Sequence, residues 1–126
     1  MRPRDLTKRE NQIMEILWNA GIPLSANEIK KRSEDDISIY TVQQVLQRLM
    51  KREYIKVSGY GFTKNAITRT YAPVLTQAEY IRSFVGKKTC MDFIKNYIQE
   101  ESDMDTIQEL EDTLRSKREQ LLDRSC

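Results

Sequence analysis

The chain has 126 residues, of which 39% are hydrophobic and 32% charged, with a net charge of +2. That is enough for one domain with a real core, or for a small domain plus an extension that needs a partner. No apolar run approaches the roughly 20 residues that span a bilayer, and MRPRDLTKRE at the start holds no apolar signal segment, so no membrane insertion and a cytoplasmic location are expected.

The net charge hides an asymmetry. Residues 1 to 74 carry 13 basic and 8 acidic side chains, whereas 75 to 126 carry 8 and 11. From Ile37 to Ala78 six basic residues face a single acid, Glu53. The front half thus presents the field that a polyanion would meet.

In chain order, Thr7 with Glu10 three residues later forms a capping box. Ile13, Ile16 and Leu17, with Met14 beside them, then predict an apolar helical stripe running through Trp18 to Gly21. Ile22-Pro23-Leu24 reads as a short extended link, and Ser25 with Glu28 as a second capping box opening a brief helix that carries Ala26 and Ile29. Glu34-Asp35-Asp36 marks a loop, after which Ser38 can cap a third helix over SIYTVQQVLQRLMKR. Val42, Val45, Leu46 and Leu49 recur there at three-and-four spacing, which leaves Tyr40, Thr41, Gln43, Gln44, Gln47, Arg48 and Lys51 on other faces. Hydroxyl, amide and guanidinium groups can hydrogen-bond base edges, and the cations at the far end suit phosphates. An ordinary solvated face is the plain alternative, but three short helices with a polar turn between the second and third follow helix-turn-helix grammar.

After Glu53 the period changes from helical to alternating. Tyr54 to Ser58, then Gly59-Tyr60-Gly61, a polar stretch to Asn65, and Thr68 to Ala72 stopped by Pro73 predict a β-hairpin. Its tip reads as polar and glycine-bearing, with Lys64 and Arg69 near it and no acid from Lys56 to Pro73, which suits a wing lying along a phosphate backbone. Gly59-Tyr60-Gly61 opens no helix and is therefore no dinucleotide loop.

Thr76 with Glu79 makes a third capping box, ahead of a helical region holding Tyr80, Ile81, Phe84, Val85, Met91, Phe93, Ile94, Tyr97 and Ile98, with a break at Gly86. Ser102 or Asp103 can cap a last helix in which Ile107, Leu110, Leu114 and Leu121 form one narrow apolar seam. Such a seam asks for a partner helix, in this chain or in a second copy. The fold expected is mainly α with a small β-hairpin: a winged helix-turn-helix domain over 1–74 and a helical dimerisation domain over 75–126.

Catalysis is not expected. The chain has no histidine, hence no imidazole base, no Ser-His or Cys-His pair and no His metal ligand. Cys90 and Cys126 show no CxxC or CxC spacing, so no metal or cofactor is expected, and Cys126 reads as a free thiol. Neither a Walker loop nor a GxSxG elbow occurs. The acid clusters at 34–36, 100–101 and 103–105 fit helix starts and solvated loops.

Leu6-Thr7 with Glu10, Glu15-Ile16-Leu17-Trp18, Asn27-Glu28-Ile29, Thr41-Val42-Gln43, Leu46-Gln47-Arg48-Leu49 with Lys51, and Tyr71-Ala72-Pro73 occur here in an order and spacing that resembles the penicillinase-repressor type of bacterial winged-helix regulators. These repress beta-lactam resistance genes and, in one branch, copper-transport genes. The resemblance covers nearly the whole chain. It implies a transcriptional repressor whose winged-helix domain binds double-stranded DNA, with two copies paired through C-terminal helices on a palindromic operator. By that likeness Thr41 and Gln44 face bases, Arg48 and Lys51 lie near phosphates, and Ser38 stands at the helix start. Ile81, Phe84, Phe93, Ile94 and Tyr97, with the Ile107–Leu121 seam, would pair the copies.

In the family a membrane sensor triggers cutting of the dimerisation domain at an Asn-Phe bond, and the matching place here is Asn96-Tyr97, with Tyr in place of Phe. The copper branch carries a CxC motif that Cys126 alone does not match. The wing, Gly59 to Thr68, is longer than usual for the family and Tyr80 to Met91 shorter. Two rival readings stand beside the repressor. One is a winged-helix module whose Ser38–Arg52 face docks protein; the other is a DNA-binding regulator answering a small ligand held among Phe84, Phe93 and Tyr97.

Overall fold

The computed structural model describes residues 6–63 and 66–124. α1 (Lys8–Ala20) starts at Thr7, whose hydroxyl accepts the Glu10 N–H while the Glu10 carboxylate accepts the Thr7 N–H. It stops at Gly21, in the left-handed region at φ 69°. The short strand β1 (Leu24–Ser25) leads directly into α2 (Ala26–Arg32), where Ser25 and Glu28 close the same reciprocal pair of hydrogen bonds. α3 (Ile39–Lys51) is capped by Ser38, whose Oγ accepts the Thr41 N–H at 3.1 Å. These Ser/Thr caps satisfy backbone donors that a helix start otherwise leaves without partners.

α3 ends in a Schellman arrangement. The Tyr54 N–H donates to Leu49 O and the Glu53 N–H to Met50 O, both at 3.0 Å, and Glu53 sits at φ 64°. A glutamate in the left-handed region where glycine is usual carries about 1–2 kcal/mol of steric strain. The turn turns the chain at once into β2 (Ile55–Thr63), which pairs antiparallel with β3 (Ala66–Pro73). β1 adds to the far edge of β3 through Leu24–Tyr71 and Ser25–Thr70, giving the order β1-β3-β2. The segment expected as a plain extended link thus completes a three-stranded sheet.

Ile13, Met14 and Leu17 of α1, Leu24, Ile29 of α2, and Val42, Val45, Leu46 and Leu49 of α3 are all fully buried in one core. Burial of each such side chain contributes about 1.5–3 kcal/mol. The four apolar residues of α3 singled out by spacing are the four the structure buries.

The described residues form two compact units, one up to Phe84 and one from Val85. α4 (Gln77–Arg82) lies in the first, capped by the Thr76–Glu79 box. Trp18 anchors this end of the unit: its Nε1–H donates to Leu75 O at 2.9 Å, and its ring stands 5.3 Å from that of Tyr80. The second unit holds α5 (Lys87–Glu100), beginning after Gly86, and α6 (Met104–Arg124). The Asp103 carboxylate opens α6 by accepting the Asp105 N–H and the Thr106 hydroxyl. Neither helix buries a single residue.

Candidate nucleic-acid interface

α3 divides by its 3.6-residue period. Opposite the buried Val42–Val45–Leu46–Leu49 stripe stand Tyr40, Gln44, Gln47 and Lys51, four, three and four residues apart and all exposed. Tyr40 shows 67% of its surface. Gln43 flanks this row on one side and is exposed too. Thr41 and Arg48 flank it on the other, and both are already engaged. The Ser38 and Thr41 hydroxyls lie 2.9 Å apart in a hydrogen bond, while Arg48 Nε lies 3.6 Å from a carboxylate oxygen of Glu10.

Glu10 is the residue this arrangement turns on, and sequence spacing identified only its capping role. Its side chain is 2% exposed as a residue. Oε1 accepts from the Thr7 N–H at 2.9 Å and from Arg52 at 3.0 Å, and Oε2 faces Arg48. A single carboxylate therefore ties the start of α1 to the last turn of α3. Arg52 also lies over the Tyr54 ring at 5.1 Å, so of the three cations ending the helix, Lys51 is the exposed one outside these ties. No spacing rule reports a carboxylate 38 and 42 residues from its partners.

On the wing, Arg69 is exposed on β3. Lys64, also expected there, lies outside the described residues, as does Cys126. The tip itself, residues 64 and 65, also lies outside the described residues, but the strands leading to it carry apolar side chains that the sequence reading did not single out. Phe62 is 80% exposed, and Ile67 and Tyr60 each 67%. The signal was present in the alternation Tyr60-Gly61-Phe62, which sets both rings on one side of a strand.

The residues expected to pair two copies fall in both units. Ile81 and Phe84 lie in the first, where Phe84 meets Tyr80 edge-on at 5.2 Å between centroids. Phe93, Ile94 and Tyr97 are exposed on α5, beside an open apolar groove that they share with Leu110 of α6. Ile107 and Leu110 are half-buried, Leu114 and Leu121 exposed. Asn96-Tyr97 lies inside α5.

Among titratable groups of the described residues, Glu28 is shifted. The Ser25 backbone N–H, then the Ser25 hydroxyl and the charges of Arg32 and Lys31, hold its carboxyl below the ordinary value against an upward push from desolvation. Among the described residues no cluster of His, Cys, Asp and Glu is arranged to hold a metal ion, and no helix is long and apolar enough to cross a membrane.

Compared with known families, residues 6–124 match the family model described as penicillinase repressor. None of the curated proteins matches the chain.

Proposed function

This chain belongs to the penicillinase repressor family, a family of DNA-binding transcriptional repressors, and from that premise we propose that it binds a palindromic operator as a homodimer and occludes a promoter. The observation that carries the reading is α3 itself: one side sealed into the core, the other a continuous row of amide, hydroxyl and cationic groups in water. Gln44 and Thr41 read base edges, and Ser38 holds Thr41 in place. Gln bidentate to adenine is a natural pairing for such a row. Lys51 and Arg69 take phosphates. Arg48, drawn toward Glu10, contributes less to phosphate binding than its place in the sequence implies, because its charge is partly compensated within the unit.

Pairing of two copies through α5 and α6 is supported by what those helices leave uncovered. A helix of 14 residues and one of 21 with no buried residue are marginal alone in water, so a second copy supplies the missing apolar contact. Inactivation by cutting at Asn96-Tyr97, under a membrane sensor, requires α5 to unwind, since proteases take extended chain. α5 has no side-chain cap at Gly86, which favours that opening. The expected product ends at Asn96, as mass spectrometry of induced cells would show.

The binding experiment is a titration of duplex DNA over a range of salt. If a dimer contacts on the order of six to ten phosphates, the log-log slope is about −5 to −9. Thr41→Ala and Gln44→Ala narrow the gap between the preferred duplex and random DNA, whereas Lys51→Ala weakens both alike. Retention of no duplex at low salt, or equal losses for all three variants, refutes the assignment. If no duplex is retained, the protein-docking reading of the same face is the one left standing.

A further inference from the structure

We propose, building on the DNA-binding reading above, that the outer part of the β2–β3 hairpin is an apolar wedge for the minor groove of DNA, with Phe62 and Ile67 as the inserted pair. The register sets Phe62 opposite Ile67 and Tyr60 opposite Arg69. Cross-strand partners share a face and neighbours along a strand alternate, so these four side chains stand together on one side of the ribbon. The other side is smooth. Gly59 and Gly61 lie there against Thr70 and Thr68, and a Cβ added at Gly59 would come 3.3 Å from Thr70 Oγ1. The threonines fill the space that the glycines leave. β1 reaches only Tyr71 and Thr70, so from that level outward the described part of the hairpin is a two-stranded arm that sets Tyr60, Phe62, Ile67 and Arg69 on a single face.

The fold does not use this face. Phe62 and Ile67 are exposed near the end of the arm and belong to no part of the core. Charge decides what covers them: no acidic residue occurs from Lys56 to Pro73, and Arg69 stands on the apolar side itself. A polyanion with apolar sugar walls answers both properties at once. A second copy answers only one of them, because the same face of its hairpin brings another Arg69 and no acid to meet this one. The minor groove, about 6 Å wide, excludes a whole ribbon but admits single side chains. Phe and Ile are among the residues that part base steps there, with arginine drawn to the negative potential of a narrowed groove. Because the cost of parting a step depends on its sequence, the wedge adds a preference for flexible pyrimidine-purine steps beside the site read by α3.

The test uses the full-length protein and duplexes that the wild type itself enriches from a random pool, with 2-aminopurine placed at successive steps. Phe62→Ala is expected to weaken binding about tenfold, the loss for one large apolar side chain left in water, with the salt slope unchanged. Arg69→Ala is expected to reduce that slope by about one. Phe62→Leu keeps most of the affinity, and the rise of 2-aminopurine fluorescence at one step on wild-type binding disappears with Phe62→Ala. Thermal melts of all variants should match the wild type, since the side chains replaced are exposed. Enriched duplexes bound equally by wild type, Phe62→Ala and Ile67→Ala would overturn the wedge while leaving operator binding intact. Enrichment of no duplex by the wild type would remove both readings together. Kept DNA affinity with altered sedimentation of DNA-free Phe62→Ala would assign the patch to a protein contact and overturn the wedge.

Discussion

Glu10 shows how much one buried carboxylate can decide. It caps α1 and, through Arg52 and Arg48, holds the C-terminal turn of the helix that carries the candidate reading face. Removing one partner of a buried pair leaves the other uncompensated, a loss of 3–5 kcal/mol for fully buried pairs. Arg48 is half exposed and Arg52 about a quarter, so the figure here is smaller. Glu10→Ala is expected to cost about 2–3 kcal/mol, cap included. A lower urea midpoint with an unchanged slope is the measurement that checks it. The same variant should release Arg48, which then becomes available to phosphate and steepens the salt dependence of DNA binding.

At the scale of elements, the caps were legible because their chemistry is local. A serine or threonine followed three residues later by glutamate leaves few other uses for those groups, and Thr7, Ser25 and Thr76 all close their boxes. Glu28 makes α2 sensitive to acid. Its carboxyl pKa is lowered on folding, so its contribution is present above the unfolded value and is lost as pH falls through the folded one. Glu28→Gln, whose amide oxygen still accepts the Ser25 N–H but which carries no charge, should lower stability near neutrality toward its acid value and so flatten the acid side of the profile. Chemical denaturation at stepped pH would show it; an unaltered acid limb would mean that other carboxylates set it. The wing was half legible. Alternation after Glu53 announced two strands, but β1 has only two residues, too few for any periodicity to register, and its role depends on Tyr71 and Thr70 lying alongside.

On the scale of the whole molecule, one unit is closed and the other open. The first buries a continuous core from α1 to β2, whereas α5 and α6 expose Phe93, Tyr97 and Leu114. Association that covers those side chains should make their melting depend on protein concentration. Phe93→Glu combined with Leu114→Glu is expected to yield a monomer in sedimentation, with the core of the first unit melting as before and affinity for a two-fold DNA site sharply reduced. A wild-type protein that sediments as a monomer at micromolar concentration would contradict the pairing.

The sequence by itself determined whatever is written in short spacing: the four buried residues of α3, the capping boxes, the hairpin, the absence of imidazole chemistry and the basic bias of the front half. Each depends on neighbours within a few residues or on composition, and helix and strand periods carry such information directly. Only the tertiary structure decided that Glu10 faces Arg48 and Arg52, that Trp18 reaches Leu75 and Tyr80, and that Phe62 and Ile67 stand together in water on one side of the wing. Those depend on register and on contacts between residues far apart in the chain, which helix and strand periods do not report.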